Sequence, residues 1–161
     1  MRNPLTWVAI KLGSASWLHR YAHLIVKTDL LIGRVTRGRM TLLTFVSLPQ
    51  VYLTVAGRKS GIPRTTPLLC APTEDGWLVA GSNWGGPKPP AWVGNLAAIE
   101  ASGKTAKVDW HGKTYAVTPV EQTEASGRDG AWRTLLSVWP NYALYEQRTA
   151  RQIRVFLLRR V

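Results

Sequence analysis

The stretch Gly57-Arg58-Lys59-Ser60-Gly61-Ile62-Pro63-Arg64-Thr65-Thr66-Pro67-Leu68 puts three cations, three hydroxyls and two glycines into a dozen residues. An apolar run at 51–56 precedes it, and 68–71 closes a second. The segment therefore reads as a charged loop between two strands. Its glycines let backbone N–H groups approach oxygens, and Arg58, Lys59 and Arg64 add fixed charge. That combination suits the anionic tail of a ligand.

Outward from this loop the pattern is β-rich. Strands are expected at 51–56, 62–71, 76–82, 104–110, 112–120 and 152–159, with His111-Gly112 as a tight hairpin step. Helices are expected at 91–101, at about 123–138 and at 142–149; Gly127 and Gly130 weaken the middle one. Many short strands with few helices predict a mainly β chain with helices (α+β), folded as a small closed or split β-barrel.

With 161 residues the chain is one domain's length. Its net charge of +12 favours anionic partners: nucleic acid, an anionic membrane surface or a polyanionic ligand. Cys70 is the only cysteine, so no internal disulfide forms and a reducing compartment is expected. Its apolar surroundings in sequence favour a small buried hydrophobe over a reactive thiol. No apolar run reaches the roughly 20 residues that span a bilayer, and no signal-peptide pattern is present. A cytoplasmic protein is expected.

Residues 1–40 differ from the rest, with seven cations against one acid. Trp17, Leu18, Tyr21, Leu24 and Ile25 mark an apolar helical stripe, with Arg20 and Lys27 off it. A helix packed on the barrel and a basic amphipathic helix at a membrane interface both fit this pattern. The expected division is a helical segment over 1–40 and a barrel over 41–161.

Several constellations carry little chemistry. His19 and His23 share a helical spacing, but Arg20 stands where zinc hydrolases place a glutamate, and no third ligand follows. No serine-nucleophile elbow, phosphate loop or CxxC pair occurs, so no metal is expected. Two others are more informative. Ser82-Asn83-Trp84-Gly85-Gly86-Pro87-Lys88-Pro89-Pro90-Ala91-Trp92 leaves a strand through a stiff turn and enters a helix, with Pro90 near its first turn. It could be a structural turn, or a slot for a planar heterocycle gripped by backbone groups, Ser82 and Asn95. Trp139, Tyr142 and Tyr145 fall on one helical face; such a stripe is either core or a substrate pocket with a phenol as donor.

In order, the segments 57–68, 82–92, Asn95-Leu96, Tyr142-x-x-Tyr145 and Thr149-x-Arg151-x-Ile153 resemble the deazaflavin-dependent nitroreductase family, which uses coenzyme F-420 (an 8-hydroxy-5-deazaflavin). Asp29, Ile32, Thr36, Gly38 and Arg39 also suit its lead-in. The resemblance implies a split β-barrel of the flavin/deazaflavin reductase type. The barrel would pass a hydride from the reduced cofactor to a quinone such as menaquinone, a nitroimidazole, or an activated heterocycle or enone.

Carried over by position, Arg58, Lys59 and Arg64 would hold the phosphate and oligoglutamate tail, and Thr66 and Pro67 would line the channel. Ser82, Lys88, Ala91, Trp92 and Asn95 would surround the deazaflavin. Tyr142 would face the acceptor, supported by Tyr145. Trp84, Val93, Gly94 and Trp139 depart from the family pattern. Peripheral contact with the inner face of the membrane through residues 1–30 would suit a lipid quinone. The alternatives are an FMN-type split-barrel flavoprotein and a non-catalytic barrel that binds a lipid or cofactor. The spread of cations around a cofactor motif argues against nucleic acid.

Overall fold

The computed structural model describes residues 48–161, together with Ile10, Lys11, Ser14, Leu24, Lys27, Thr28 and residues 30–32. The pair His19/His23, most of the apolar stripe, and Asp29, Thr36, Gly38 and Arg39 lie outside the described residues. Six strands, β1 (Gln50–Ala56), β2 (Pro63–Pro72), β3 (Gly76–Ala80), β4 (Ala106–Trp110), β5 (Lys113–Glu121) and β6 (Val155–Arg160), pair antiparallel. They close a barrel in the order β1-β2-β3-β6-β5-β4. It is decorated by the helices α1 (Ala91–Ala101), α2 (Arg128–Val138) and α3 (Tyr142–Arg148).

Period-two alternation sorts the strand side chains into two cores. Val51, Leu53, Val55, Val79, Phe156 and Leu158 fill the barrel interior with Cys70 and Trp77, and α1 adds Trp92, Val93, Leu96 and Ile99 to them. The intervening residues Ala71, Leu78, Ala80 and Val155 face outward and are covered by Ala131 and Leu135 of α2 and by Tyr142 and Tyr145 of α3. All five residues of β3 are consequently buried. Burial pushes the Cys70 thiol well above the ordinary thiol range, which agrees with a packing role.

The hairpin between β4 and β5 turns through His111 and Gly112, both with positive φ, as a two-residue type I′ connection requires. The segment expected as one helix over 123–138 is instead broken. A short 3₁₀ turn, Glu124–Ser126, is capped by Thr123, and Gly127 adopts φ +92° before α2 begins. Glycine enters this left-handed conformation at little steric cost, so the chain bends there. The last strand starts later than expected, at Val155; just before it the Ile153 carbonyl is taken by Arg128, whose Nη1 donates at 2.8 Å.

Part of the N-terminal region leans on α3. Ile10 packs against the outer core, its carbonyl accepts from Asn141 Nδ2 at 2.6 Å, and the Ser14 carbonyl accepts from Arg148. Leu24 and Leu31 are exposed. Among the described residues no helix is long and apolar enough to cross a membrane.

Gly76 opens β3 against the backbone of β6. A Cβ there would lie 2.0 Å from Leu158 O. Gly76→Ala should destabilise the fold by about 3 kcal/mol in urea denaturation. Gly103→Ala meets no neighbour within 4 Å and should cost only about 1 kcal/mol through its left-handed backbone. Equal losses at the two positions would refute the steric account.

Candidate functional site

The charged loop between β1 and β2 is closed on itself and pinned to α1. Gly57 N donates to Ile62 O at 3.0 Å, and Gly61 N donates to Gly57 O at 2.7 Å. Arg58 N donates to Asn95 Oδ1 at 3.1 Å, so the Asn95 carboxamide ties the loop to the helix. Arg58, Lys59, Arg64 and Lys88 are all exposed. The carboxylates within ion-pairing distance of cations, Glu146 and Glu121, serve Arg128 and Arg154. Among the described residues the four loop and turn cations thus keep their charge available for an external anion.

Alternation along β2 separates two residues expected to line one channel. Thr66 shares a face with Arg64 and with Leu68, which packs on the interior core. Pro67 lies on the opposite face with Leu69, which packs on the outer core.

The turn after β3 is unusual. Asn83, Trp84 and Gly85 have φ of +47°, +51° and +79°, three left-handed residues in succession. For tryptophan this conformation costs about 1–2 kcal/mol and must be held by its surroundings. Arg151 supplies the grip, with Nη2 donating to Ser82 O at 2.8 Å and Nε to Gly86 O at 3.2 Å. Asn83 Nδ2 closes the turn on Lys88 O at 3.0 Å. Gly85 fits against α3 so closely that a Cβ would lie 2.9 Å from Tyr145 O.

Trp84 packs on the outer core that contains Tyr142 and Tyr145. Ser82 and Asn95 are buried, and Ala91 is exposed at the first turn of α1. Trp92 points into the interior core rather than onto the surface of the turn. Asn-Trp-Gly-Gly is a turn signal, and Arg151 belongs to the Thr149-x-Arg151-x-Ile153 motif, but nothing local in sequence says that it clamps this turn.

Tyr142 and Tyr145 meet edge to face, with ring centroids 6.0 Å apart. Both are buried. Burial is the largest cause pushing the Tyr142 phenol above the ordinary tyrosine range, and the neighbouring Tyr145 and Cys70 push the same way. Burial also raises Tyr145, against the opposing pull of the Trp139 indole, the Arg148 guanidinium and Asn141. Trp139 Nε1 donates to Tyr145 Oη at 3.3 Å. Indole N–H is a donor only, so the Tyr145 oxygen is the acceptor in this bond and its own proton points elsewhere. The Tyr142 hydroxyl has no hydrogen-bond partner among the described residues. A neutral phenol is equipped to donate a proton or hydrogen bond to a ligand.

The model of the F420H(2)-dependent quinone reductase family matches residues 27–160. The chain is 30% identical over 148 residues to the F420H(2)-dependent quinone reductase Rv1261c of Mycobacterium tuberculosis (strain H37Rv), covering 89% of this chain and 96% of that protein. Among solved structures, an F420-H2 dependent reductase (FDR-A) superposes with a TM-score of 0.60 at 32% identity, covering 68% of this chain and 93% of that one. A structure described as a domain-swapped dimer superposes with a TM-score of 0.62 at 29% identity, covering 82% and 98% respectively. Of the readings the sequence left open, the deazaflavin-dependent enzyme is the one these likenesses select. The chain belongs to the F420H(2)-dependent quinone reductase family, and it is an oxidoreductase whose cofactor is coenzyme F-420.

Proposed function

We propose that the protein reduces a lipid quinone of the menaquinone class, with the cofactor tail at the 57–64 loop and the acceptor at the tyrosine helix. The observation that carries this reading is the reach of one short segment. Residues 82–95 touch the tyrosine helix at Gly85 and the cationic loop at Asn95. A cofactor lying along that segment would meet unpaired cations at one end and a neutral phenol at the other.

The donor set fits the group. A phosphate and oligoglutamate tail is polyanionic, and Arg58, Lys59, Arg64 and Lys88 are exposed cations without carboxylate partners among the described residues. Each charge-assisted hydrogen bond contributes about 1.5–3 kcal/mol. Three of them supply much of a micromolar affinity, about 8 kcal/mol. Thr66, on the Arg64 face of β2, edges the route, and Ser82, Ala91 and Asn95 shape the ring end, while Trp92 packs in the interior core.

When bound and reduced, the deazaflavin supplies a hydride, two electrons with one proton. The quinone needs a second proton to become the hydroquinone. Tyr142 Oη holds that proton, because burial keeps the phenol neutral through the physiological range. Tyr145, fixed by Trp139, orients its neighbour through their edge-to-face contact. Trp84 bounds the acceptor end. The exposed Leu24, Lys27 and Leu31 support a peripheral approach of the N-terminal region to the inner face of the membrane, where the quinone resides.

A stopped-flow assay tests the reading: pre-reduced F-420 bound to the protein is mixed with menaquinone in anionic vesicles, with soluble menadione, or with a nitroimidazole. Quinone-dependent oxidation faster than the nitroimidazole reaction is expected, and the reverse order overturns the acceptor assignment. FMN should give no saturable fluorescence change under conditions where F-420 saturates.

Tyr142→Phe should lower kcat for quinone by about 10²-fold while the cofactor Kd stays within about twofold. The wild-type rate should hold through the ordinary tyrosine range near pH 10 and fall only above it, since a raised pKa retains the proton to higher pH. Loss of cofactor binding in this variant would mean that the division of roles is wrong.

Trp84→Gly removes the indole and relieves the left-handed strain. The ratio of kcat/KM for bulky over small quinones should rise, with cofactor affinity unchanged. An unaltered ratio would show that Trp84 does not bound the acceptor.

A further inference from the structure

We propose that Gly94 is a positioning residue for Arg58: the missing side chain at 94 leaves the seat in which the Arg58 guanidinium is held ready for an anionic cofactor tail. The inference rests on the reading of Arg58 as a tail-binding residue. Gly94 lies in the first turns of α1. A Cβ built there would stand 2.2 Å from Arg58 Nη1 and 3.0 Å from its Cζ. Real Cβ atoms do not approach other atoms that closely, so any side chain at 94 must displace the guanidinium.

The glycine is not there for the backbone. Its φ is not in the left-handed range, and glycine within a helix is less stable than alanine. Packing does not require it either. Glycines 76 and 81 make way for main-chain atoms or a buried valine, whereas Gly94 makes way for the end of an exposed, flexible cation. The neighbouring residue completes the device, since Asn95 Oδ1 accepts from Arg58 N. Of two successive positions in one helical turn, Asn95 thus holds the main chain of Arg58 and Gly94 leaves room for its guanidinium. A free arginine loses rotamer entropy when it binds an anion, and a seated one has already lost part of it. Among the described residues no carboxylate pairs with Arg58, so the seated charge stays available.

The test is Gly94→Ala in the full chain, with Gly94→Ser as a second variant. The melting temperature should rise by about 2 °C, as alanine replaces glycine in a helix. The Kd for F-420, followed by its fluorescence, should rise about tenfold, the loss of one charge-assisted bond. Its dependence on salt should become shallower. The Kd for the deazaflavin riboside that lacks phosphate and tail should not move. An unchanged F-420 affinity, or an equal loss for the riboside, overturns the proposal.

Arg58→Ala separates this inference from its premise. If Arg58→Ala leaves F-420 affinity intact, the tail-binding reading fails and the role of Gly94 fails with it. If Arg58→Ala weakens binding but Gly94→Ala does not, only the seat is refuted. In the Arg58→Ala background Gly94→Ala should cause no further loss, and additive losses would overturn the coupling.

Discussion

The double burial of β3 is the constraint on which the rest of this fold depends. A five-residue strand supplies Trp77 and Val79 to the barrel interior and Leu78 and Ala80 to the outer core. Each face buries side chains worth about 1.5–3 kcal/mol apiece, so the strand cannot shift register without losing both cores at once. The pairing of β3 with β6 through Gly76↔Arg159 to Ala80↔Val155 fixes that register. Half of the candidate site follows at its C-terminal end: the left-handed turn, the entry to α1, and the surface on which α3 docks.

The arginines divide into two populations. Arg128, Arg151 and Arg154 are committed to the protein: Arg128 to the Ile153 carbonyl, Arg151 to the Ser82 and Gly86 carbonyls, and Arg154 to Glu121. Desolvation pulls Arg151 below the ordinary guanidinium range, in keeping with its use as a structural clamp. Arg58 and Arg64 are committed to nothing carboxylate among the described residues. A net charge of +12 therefore overstates how much of the basicity is on offer and says little about where it is. The useful distinction is local, between arginines already engaged by carbonyls or paired with carboxylates and, among the described residues, cations with no carboxylate partner.

The strands were legible because period-two alternation is a local property, and all six appear close to where it places them. Helix α1 was legible for the same reason, since Pro90 before an apolar run marks a start. The break at Gly127 was foreshadowed by the glycine itself. The order of the strands was not legible, because β3 beside β6 is a contact across about half of the chain and leaves no trace in either segment. The same holds within the candidate site. Arg151 grips a turn 65 and 69 residues away, and Gly94 is meaningful only once Arg58 is seen above it. Trp84 shows the limit most clearly: its residue type argues against a left-handed backbone, and only the Arg151 clamp and the outer core make that conformation tenable. The order of the family motifs along the chain pointed to the family, which no single motif could do.

The barrel's seams have unequal lengths. β1 and β2 pair through seven residues, but β1 meets β4 through only three, and β2 meets β3 through only three. The remaining pairs hold five each. Mechanically, the barrel is a hairpin let into a four-stranded sheet along two short joints, and those joints are where breathing is least costly. The cationic loop rides on the hairpin; the left-handed turn and the tyrosine helix ride on the sheet. A molecule long enough to touch both would act as a cross-brace and stiffen the barrel wall away from either contact.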